Sequence, residues 1–426
     1  MAKNLTNRSS RKPLPASSWS GTRRLTLLEL IVGAKAALRE LVVQTGLQVF
    51  GALLEEDRTT LCGPKSQPQP ERGAYRHGHD EGTLVFGGRK VRIQKPRVRS
   101  VKGKELELPT WQGMSNEDPL QQRVLEQILV GVSTRGYERS LESVAGEAEP
   151  VGVSHSSVSR HFVAKTSQEV DRFLSRSLEG LDLPVIMIDG KGFADHMLVT
   201  ALGIDATGKK HVLGFTEGTT ESEGVCRSLL QNLVERGLAV ERARLFVIDG
   251  GKGIRKGLRA TFGHWALIQR CQEHKLRNVL EHLPESKREW MRAAMRKVWE
   301  AETAEKARGK LKVLASQLRV EHPGASASIL EGMDETLTLI ALGVRGSLLR
   351  TLRSTNPIEN LQGALQKTCR NVKRWRGGAM IMRWGATALM EAEKKFRRIA
   401  GYKSMGLLIA ALEAKVSVVD NQEAAA

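Results

Sequence analysis

Two short, mainly apolar runs, Leu183–Ile188 and Arg244–Ile248, each stop at an aspartate, Asp189 and Asp249. Runs of this length between turn residues read as buried strands. Between them the pattern predicts strands at Met197–Ile204 and Lys210–Thr216, joined by an Asp205–Gly208 turn. An amphipathic helix over Glu221–Arg236 follows, closed by Gly237. After Asp249 come a helix at Lys252–Phe262 and a strand at Trp265–Gln269. The order is β-β-β-α-β-α-β. The first three strands suit an antiparallel meander. The helix after them must cross over, setting strand four parallel to an existing strand through a right-handed connection. If strand four lies beside strand one, their carboxyl ends point the same way and the two aspartates become neighbours. Two carboxylates in one site are unfavourable unless a cation or proton lies between them. A divalent metal site is therefore expected. The plain alternative for either residue is a strand-end Asp that caps the next turn.

The charge of the chain narrows the partner. Its 426 residues carry a net charge of +19. Residues 1–110 hold 20 Lys/Arg against 10 Asp/Glu, and residues 345–403 hold 14 against 3. The stretch 181–269, with 11 against 10, is nearly neutral. Two basic flanks around a neutral, carboxylate-bearing middle favour a polyanion, most often nucleic acid. A solvated basic surface that only keeps the protein soluble is the alternative. No stretch approaches the ~18–20 apolar residues that span a bilayer, so no membrane partner is expected. Met1–Gly21 is basic without an apolar core, unlike a secretory signal. The four cysteines have no paired spacing, which argues against a disulfide framework and fits a reducing cytoplasm.

Residues 1–24 read as a mobile basic arm, and residues 25–180 as a mainly helical region for binding DNA. Within it Arg23–Leu54 is predicted helix, Gly63–Gly88 loop, and Lys90–Val98 a short strand with Arg92, Lys95 and Arg97 facing a phosphate backbone. Leu120–Gly131 is predicted helix. A helix-turn-helix is expected near 137–163, its second helix capped by Ser154. Ser156, Ser157, Ser159 and Arg160 near that helix start could reach phosphates or base edges. A purely structural helical hairpin is the alternative. Further on, Gln272–Gln317 is almost all helical and highly charged. In Ser354-Thr355-Asn356-Pro357-Ile358-Glu359-Asn360, Thr355 or Asn356 can cap and Pro357 suits the first helical position. Glu359 then lies in the first turn. The helix is expected to continue into a basic run holding Lys367, Arg370, Lys373, Arg374 and Arg376, with Trp375 among them.

Transfer of a polynucleotide strand needs an activated hydroxyl on one side of a phosphodiester and a stabilised leaving oxyanion on the other. Two divalent ions about 3.5–4 Å apart, held by a few carboxylates, do both. Four segments carry this further: Ile188-Asp189-Gly190, Val247-Ile248-Asp249-Gly250, Gln269 through Asn278, and Ser354 through Asn360. In this order they resemble the Mutator-type transposases of bacterial insertion sequences, which are DDE transposases with a ribonuclease-H-like core. The resemblance runs from about Arg72 to Leu412. It implies an α/β mixed-sheet catalytic core in two parts, 181–274 and 345–412, around an all-helical insertion at 275–344, with a tail at 413–426. It implies Asp189, Asp249 and Glu359 as a catalytic triad that holds two Mg2+ ions, for which Mn2+ can substitute. Cys271-x-x-His274 matches the family's Cys/Asp-x-x-His signature, with Cys271 supporting the site and His274 contacting phosphate or assisting proton transfer. The alternative is a packed Cys and a capping His. Pro357 and Asn360 stand where many members carry Ala and Ser, which leaves Glu359 in place.

The implied partners are double-stranded DNA, as terminal inverted repeats and as target, and further copies of the chain in a homodimer or larger synaptic complex. The implied location is the bacterial cytoplasm, on the nucleoid. The implied function is metal-dependent cleavage and strand transfer. Two alternatives stay open: a nuclease of the same fold that hydrolyses without joining, and a non-catalytic DNA-binding regulator. A nucleotide-binding loop and a zinc site do not change this, and Gly250-Gly251-Lys252-Gly253, which opens a helix after Asp249, is explained by a tight turn as well as by a phosphate contact. Gly203 through Lys210 fits GxxxxGK but lacks the following Ser/Thr and links two strands. Cys271 and His274 have no companion pair that would complete a zinc site.

Overall fold

The computed structural model describes residues 27–67, 72–86, 89–116, 119–129, 131–135, 137, 140, 149–151, 154–193, 196–218, 222–370, 372 and 374–424. The expected 1–24 arm, Lys373 and most of the first helix of the expected helix-turn-helix lie outside the described residues. The chain divides into two compact units, residues 1–117 with 141–152 and residues 118–140 with 153–426.

The first unit holds α1 (Leu27–Cys62), β1 (Ala74–Phe86), β2 (Arg89–Ser100), β3 (Glu105–Leu106), α2 (Pro109–Asn116) and β4 (Glu149–Val151). β1 and β2 form a long antiparallel hairpin, and β3 and β4 pair with opposite ends of β2. β1 corrects the loop expected over Gly63–Gly88. Its Gly-, His- and Asp-containing sequence has weak strand propensity. Register with β2 supplies the partners, and Leu84 opposite Val91 is buried. Phe50 and Leu54 of α1 close the small core with Leu84, Val98 and Leu108. Burying each such side chain contributes about 1.5–3 kcal/mol.

The second unit begins with α3 (Pro119–Leu129) and α4 (His155–Leu174). Then come β5 (Val185–Phe193), β6 (His196–Ile204), β7 (Lys210–Gly218), α5 (Glu223–Glu235), β8 (Arg244–Ile248), α6 (Lys252–Phe262) and β9 (Ala266–Arg270), in the predicted order. The sheet order is β7-β6-β5-β8-β9. β6 pairs antiparallel with both β5 and β7, while β5–β8 and β8–β9 are parallel. Strand four therefore lies beside strand one. α5 and α6 cover one face through Leu229, Leu230, Leu233, Ile254 and Leu258, which meet Ile186, Ile188, Phe246 and Ile248. The β6–β7 turn is tied by Asp205, whose Oδ1 accepts from the Thr207 and Lys209 amides.

Helices α7 (Gln272–Glu281), α8 (Glu285–Trp299), α9 (Ala304–Leu318), α10 (Pro323–Leu330) and α11 (Thr338–Ala341) follow β9. They enclose a core of their own, including Leu276, Met291, Met295, Leu311, Ile329 and Ile340. The chain ends with α12 (Gly346–Leu352), α13 (Asn356–Cys369), α14 (Gly378–Glu393) and α15 (Met405–Ala424). No helix among the described residues is long and apolar enough to cross a membrane.

Candidate active site

The last registered pair between the parallel strands β5 and β8 is Ile188 opposite Ile248. Asp189 and Asp249 each come one residue later, so both leave the same edge of the sheet. β5 does not end at Asp189 as the apolar run implies. It continues to Phe193 because β6 keeps pairing with it, with Asp189 opposite Thr200. Asp189 is 6% exposed. Asp249 turns one oxygen back to its own loop, Oδ1 accepting the Gly251 amide at 2.8 Å. Part of Asp249 thus does the turn-capping job that the simpler reading gave it, and its second oxygen remains for other partners.

Glu359 comes from the first turn of α13. Its Oε1 accepts the Thr355 hydroxyl at 2.8 Å and lies 3.8 Å from His274 Nδ1. Gln362, one turn further along the same helix, donates from Nε2 to the Asp189 carbonyl at 3.3 Å. Thr355, Glu359 and Gln362 are spaced i, i+4, i+7, so one helix face carries all three. Cys271 directly follows β9, and its sulfur accepts amides from both His274 and Thr355. The structure therefore gathers Asp189, Asp249, Glu359, His274 and Cys271 around one sheet edge.

The charges of this group act on one another. Burial, then the charges of Asp249 and Glu359, push the Asp189 carboxyl up to about 7, against the opposing pull of His274 and Gln362. The hydrogen bond with Cys271 raises the His274 imidazole above its ordinary value, against burial. Burial raises the Cys271 thiol, but hydrogen bonds with His274 and Thr355 outweigh it and leave the thiol below its ordinary range. A carboxyl whose charge is opposed by burial and two like neighbours marks a place where a cation is favoured. Oxygen donors from three carboxylates suit a hard ion such as magnesium. Among the described residues, no three His, Cys, Asp or Glu side chains stand as a group that could hold a metal ion. The donor chemistry fits the expected ions, and Asp189, Asp249 and Glu359 are the residues that would hold them.

Two buried cations behind Asp249 escape a reading of the sequence. Arg270 is 3% exposed and Lys275 1%. Arg270 Nη1 donates to the Glu331 carbonyl and carboxylate, both at 3.0 Å. Lys275 Nζ donates to the same carbonyl and lies 3.7 Å from the same carboxylate. Gly250 has φ +107, and a Cβ there would stand 2.2 Å from Arg270 Nε. A glycine directly after Asp249 is what lets the guanidinium lie against this turn. Burial, then Arg270, push the Lys275 amine down to about 8. In the unfolded chain it keeps its proton to about pH 10.4. Between those values the unfolded state binds more protons, so stability rises with pH, by at most about 1.4 kcal/mol per unit. Urea unfolding of wild type and Lys275→Met at two pH values in that window checks this. The wild type is expected to gain on the variant at the higher pH, and a constant difference contradicts it.

The DNA-facing candidates sit on other elements. Ser154 caps α4 as expected, its Oγ accepting the Ser157 amide at 3.2 Å. Ser156 and Arg160 are exposed on the first turns and Ser157 is half-buried. The opposite face of α4 packs on α14, with the Phe162 and Trp384 rings 4.9 Å apart. The basic run is not one helix, which corrects that expectation. α13 stops at Cys369, and only Lys367 of the run lies within it. Exposed Arg370, Arg374 and Arg376 belong to the connection to α14, which turns at Gly377 with φ +116.

An α/β protein with interacting carboxylates just past the last paired residues of two parallel neighbours, and a third carried by a helix, is the class that this fold and site define. The chain belongs to the Mutator family of transposases, whose family profile matches residues 25–399. It is 26% identical over 334 residues to the transposase for insertion sequence element IS256 in transposon Tn4001 from Staphylococcus aureus, covering 75% of this chain and 81% of that protein. It is 26% identical over 353 residues to the transposase for insertion sequence element ISRM5 from Rhizobium meliloti, covering 81% and 85%. A transposase for insertion sequence element IS6120 from Mycolicibacterium smegmatis is 29% identical over 238 residues, covering 54% and 71%.

Proposed function

We propose that the chain is a DDE transposase with a ribonuclease-H-like core, which cuts DNA at the ends of its own insertion sequence and joins those ends to a target. The observation that carries this reading is that Asp189 and Asp249 follow the last registered pair of the parallel neighbours β5 and β8, and that the charges of Asp249 and of Glu359 on α13 both act on Asp189. Asp189, Asp249 and Glu359 would hold the two magnesium ions. When bound, these supply activation of the attacking hydroxyl and stabilisation of the leaving oxygen.

The remaining roles belong to the chain. Buried Asp189 is a fixed point at the sheet edge, held by strand pairing and by Gln362. His274 stands beside Glu359, where its imidazole can contact a phosphate oxygen or carry a proton. Ser156, Ser157 and Arg160 on α4, and Lys367, Arg370, Lys373, Arg374 and Arg376, grip the DNA backbone. The basic flanks support duplex binding, first to the terminal inverted repeats and then to target DNA. Because two ends must be held together, the working form is a dimer or larger synaptic complex.

The test incubates the full chain with magnesium, a duplex ending in the inverted repeat that brackets its reading frame, and a target plasmid. Cut ends bearing 3′-hydroxyls, and covalent joints between end and plasmid, are expected, both lost on chelation. Cutting without joints makes the chain a nuclease. Specific binding without cutting makes it a regulator.

A further inference from the structure

Thr355 holds the N-cap position of α13, where a threonine normally accepts a hydrogen bond from an amide two or three residues on. It makes no such bond. Its backbone, at φ −80 and ψ 7, lies outside the extended region typical of a cap. The side chain is fully buried. Its hydroxyl lies 2.8 Å from Glu359 Oε1, 3.3 Å from His274 Nδ1 and 3.4 Å from Cys271 Sγ.

A hydroxyl has one proton to give and two lone pairs to receive with, whereas an ionised carboxylate only accepts. The Thr355 proton therefore goes to Glu359, its shortest contact. On the other side of the imidazole, His274 Nε2 faces Arg277 Nη1 at 3.3 Å. A guanidinium only donates, so Nε2 accepts and Nδ1 carries the ring proton of the neutral imidazole. That N–H is directed at the Thr355 oxygen. The bonds run one way, from Arg277 to His274, to Thr355, to Glu359. The Thr355 amide meanwhile donates to Cys271 Sγ at 3.4 Å, and the same sulfur takes the His274 amide at 3.5 Å. One sulfur thus joins the starts of α7 and α13, and Thr355 stands at the junction.

We propose that Thr355 is a positioning residue of the site, whose hydroxyl sets the Glu359 carboxylate and aligns it with His274 instead of capping its own helix. A glutamate in a first helical turn otherwise samples several rotamers, among the larger side-chain freedoms a chain must restrict. The inference rests on Glu359 being a metal ligand, as read above.

Thr355→Val keeps the shape and removes the hydroxyl, and Thr355→Ser keeps the hydroxyl and removes a methyl. For Val, single-turnover cutting at saturating DNA should fall about 10–100-fold, and the magnesium needed for half of the metal-induced rise in melting temperature should increase about 10-fold. Affinity for inverted-repeat DNA should stay within about 2-fold, as for a loss confined to the chemical step. Ser should restore both magnesium response and cutting. If Val does not fold, Thr355→Cys, a small buried side chain with a weak donor, is expected to show the same defects. Cutting and magnesium response within 2-fold of wild type for Val (or Cys) overturn the proposal, as does a Ser variant no better than Val. If wild type itself does not cut, the proposed function fails, and the magnesium melting comparison still decides whether Thr355 sets Glu359.

Discussion

Glu359→Gln is expected to stop cleavage and joining while leaving DNA binding intact. Glutamine keeps the length of the side chain, and its amide oxygen can still accept the Thr355 hydroxyl that Glu359 Oε1 accepts at 2.8 Å. What it removes is the charge. Two divalent ions bring four positive charges, and reducing three carboxylates to two weakens the hold on the second ion most. A loss of about 4 kcal/mol of transition-state stabilisation slows cutting about 1,000-fold. Manganese, which tolerates imperfect coordination better, should recover part of it. If Glu359 were only a favourable charge at a helix start, the change would cost ~0.3–1 kcal/mol of stability and leave chemistry alone. Single-turnover assays of Glu359→Gln against the exposed neighbour Asn360→Ala separate the two outcomes. Near-normal cutting by Gln would remove Glu359 from the triad.

The second large effect is on binding. The chain carries +19, concentrated in residues 1–110 and 345–403. If these flanks neutralise about 6–10 phosphates, affinity for duplex DNA should fall about 10³–10⁵-fold between 50 and 200 mM salt, because each contact releases condensed counterions. Lys367, Arg374 and Arg376 are exposed, so replacing any one by Ala should flatten the log–log slope by about 1. Fluorescence anisotropy titrations across that salt range measure both. A flat response would mean that the charge serves solubility and not a phosphate footprint.

Much of the second unit was legible before its structure. β8 and α6 fall on their predicted bounds, and the five strands of the sheet appear in the predicted order. Apolar runs closed by Gly and Asp carry both length and end signals, so short buried strands of this kind announce themselves. Asp189 and Asp249 were singled out because each closes an apolar run, and Glu359 because the family resemblance implied it. Thr355 and Gln362 were not, although a heptad step separates them around Glu359. Arg270 and Lys275 were hidden among many surface cations, since no local pattern distinguishes a buried Arg from an exposed one.

The sequence by itself determined where the apolar runs lie, which residues end them and how charge divides along the chain, because period, propensity and net charge are properties of neighbouring residues. Tertiary structure alone decided that β1 pairs as a strand, since its hydrogen-bond partners and its cover come from β2 and α1. It decided that β5 runs past Asp189, because β6 continues to satisfy its backbone. It also decided where the Thr355 hydroxyl goes. A cap is a local bond, and so is the one to Glu359 four residues on, but His274 and the Cys271 sulfur reach that side chain across 81 and 84 residues of sequence, and their nearness exists only once α7 and α13 start side by side. Side chains that hold a site together answer to partners brought by the fold, and a linear pattern carries no record of those distances.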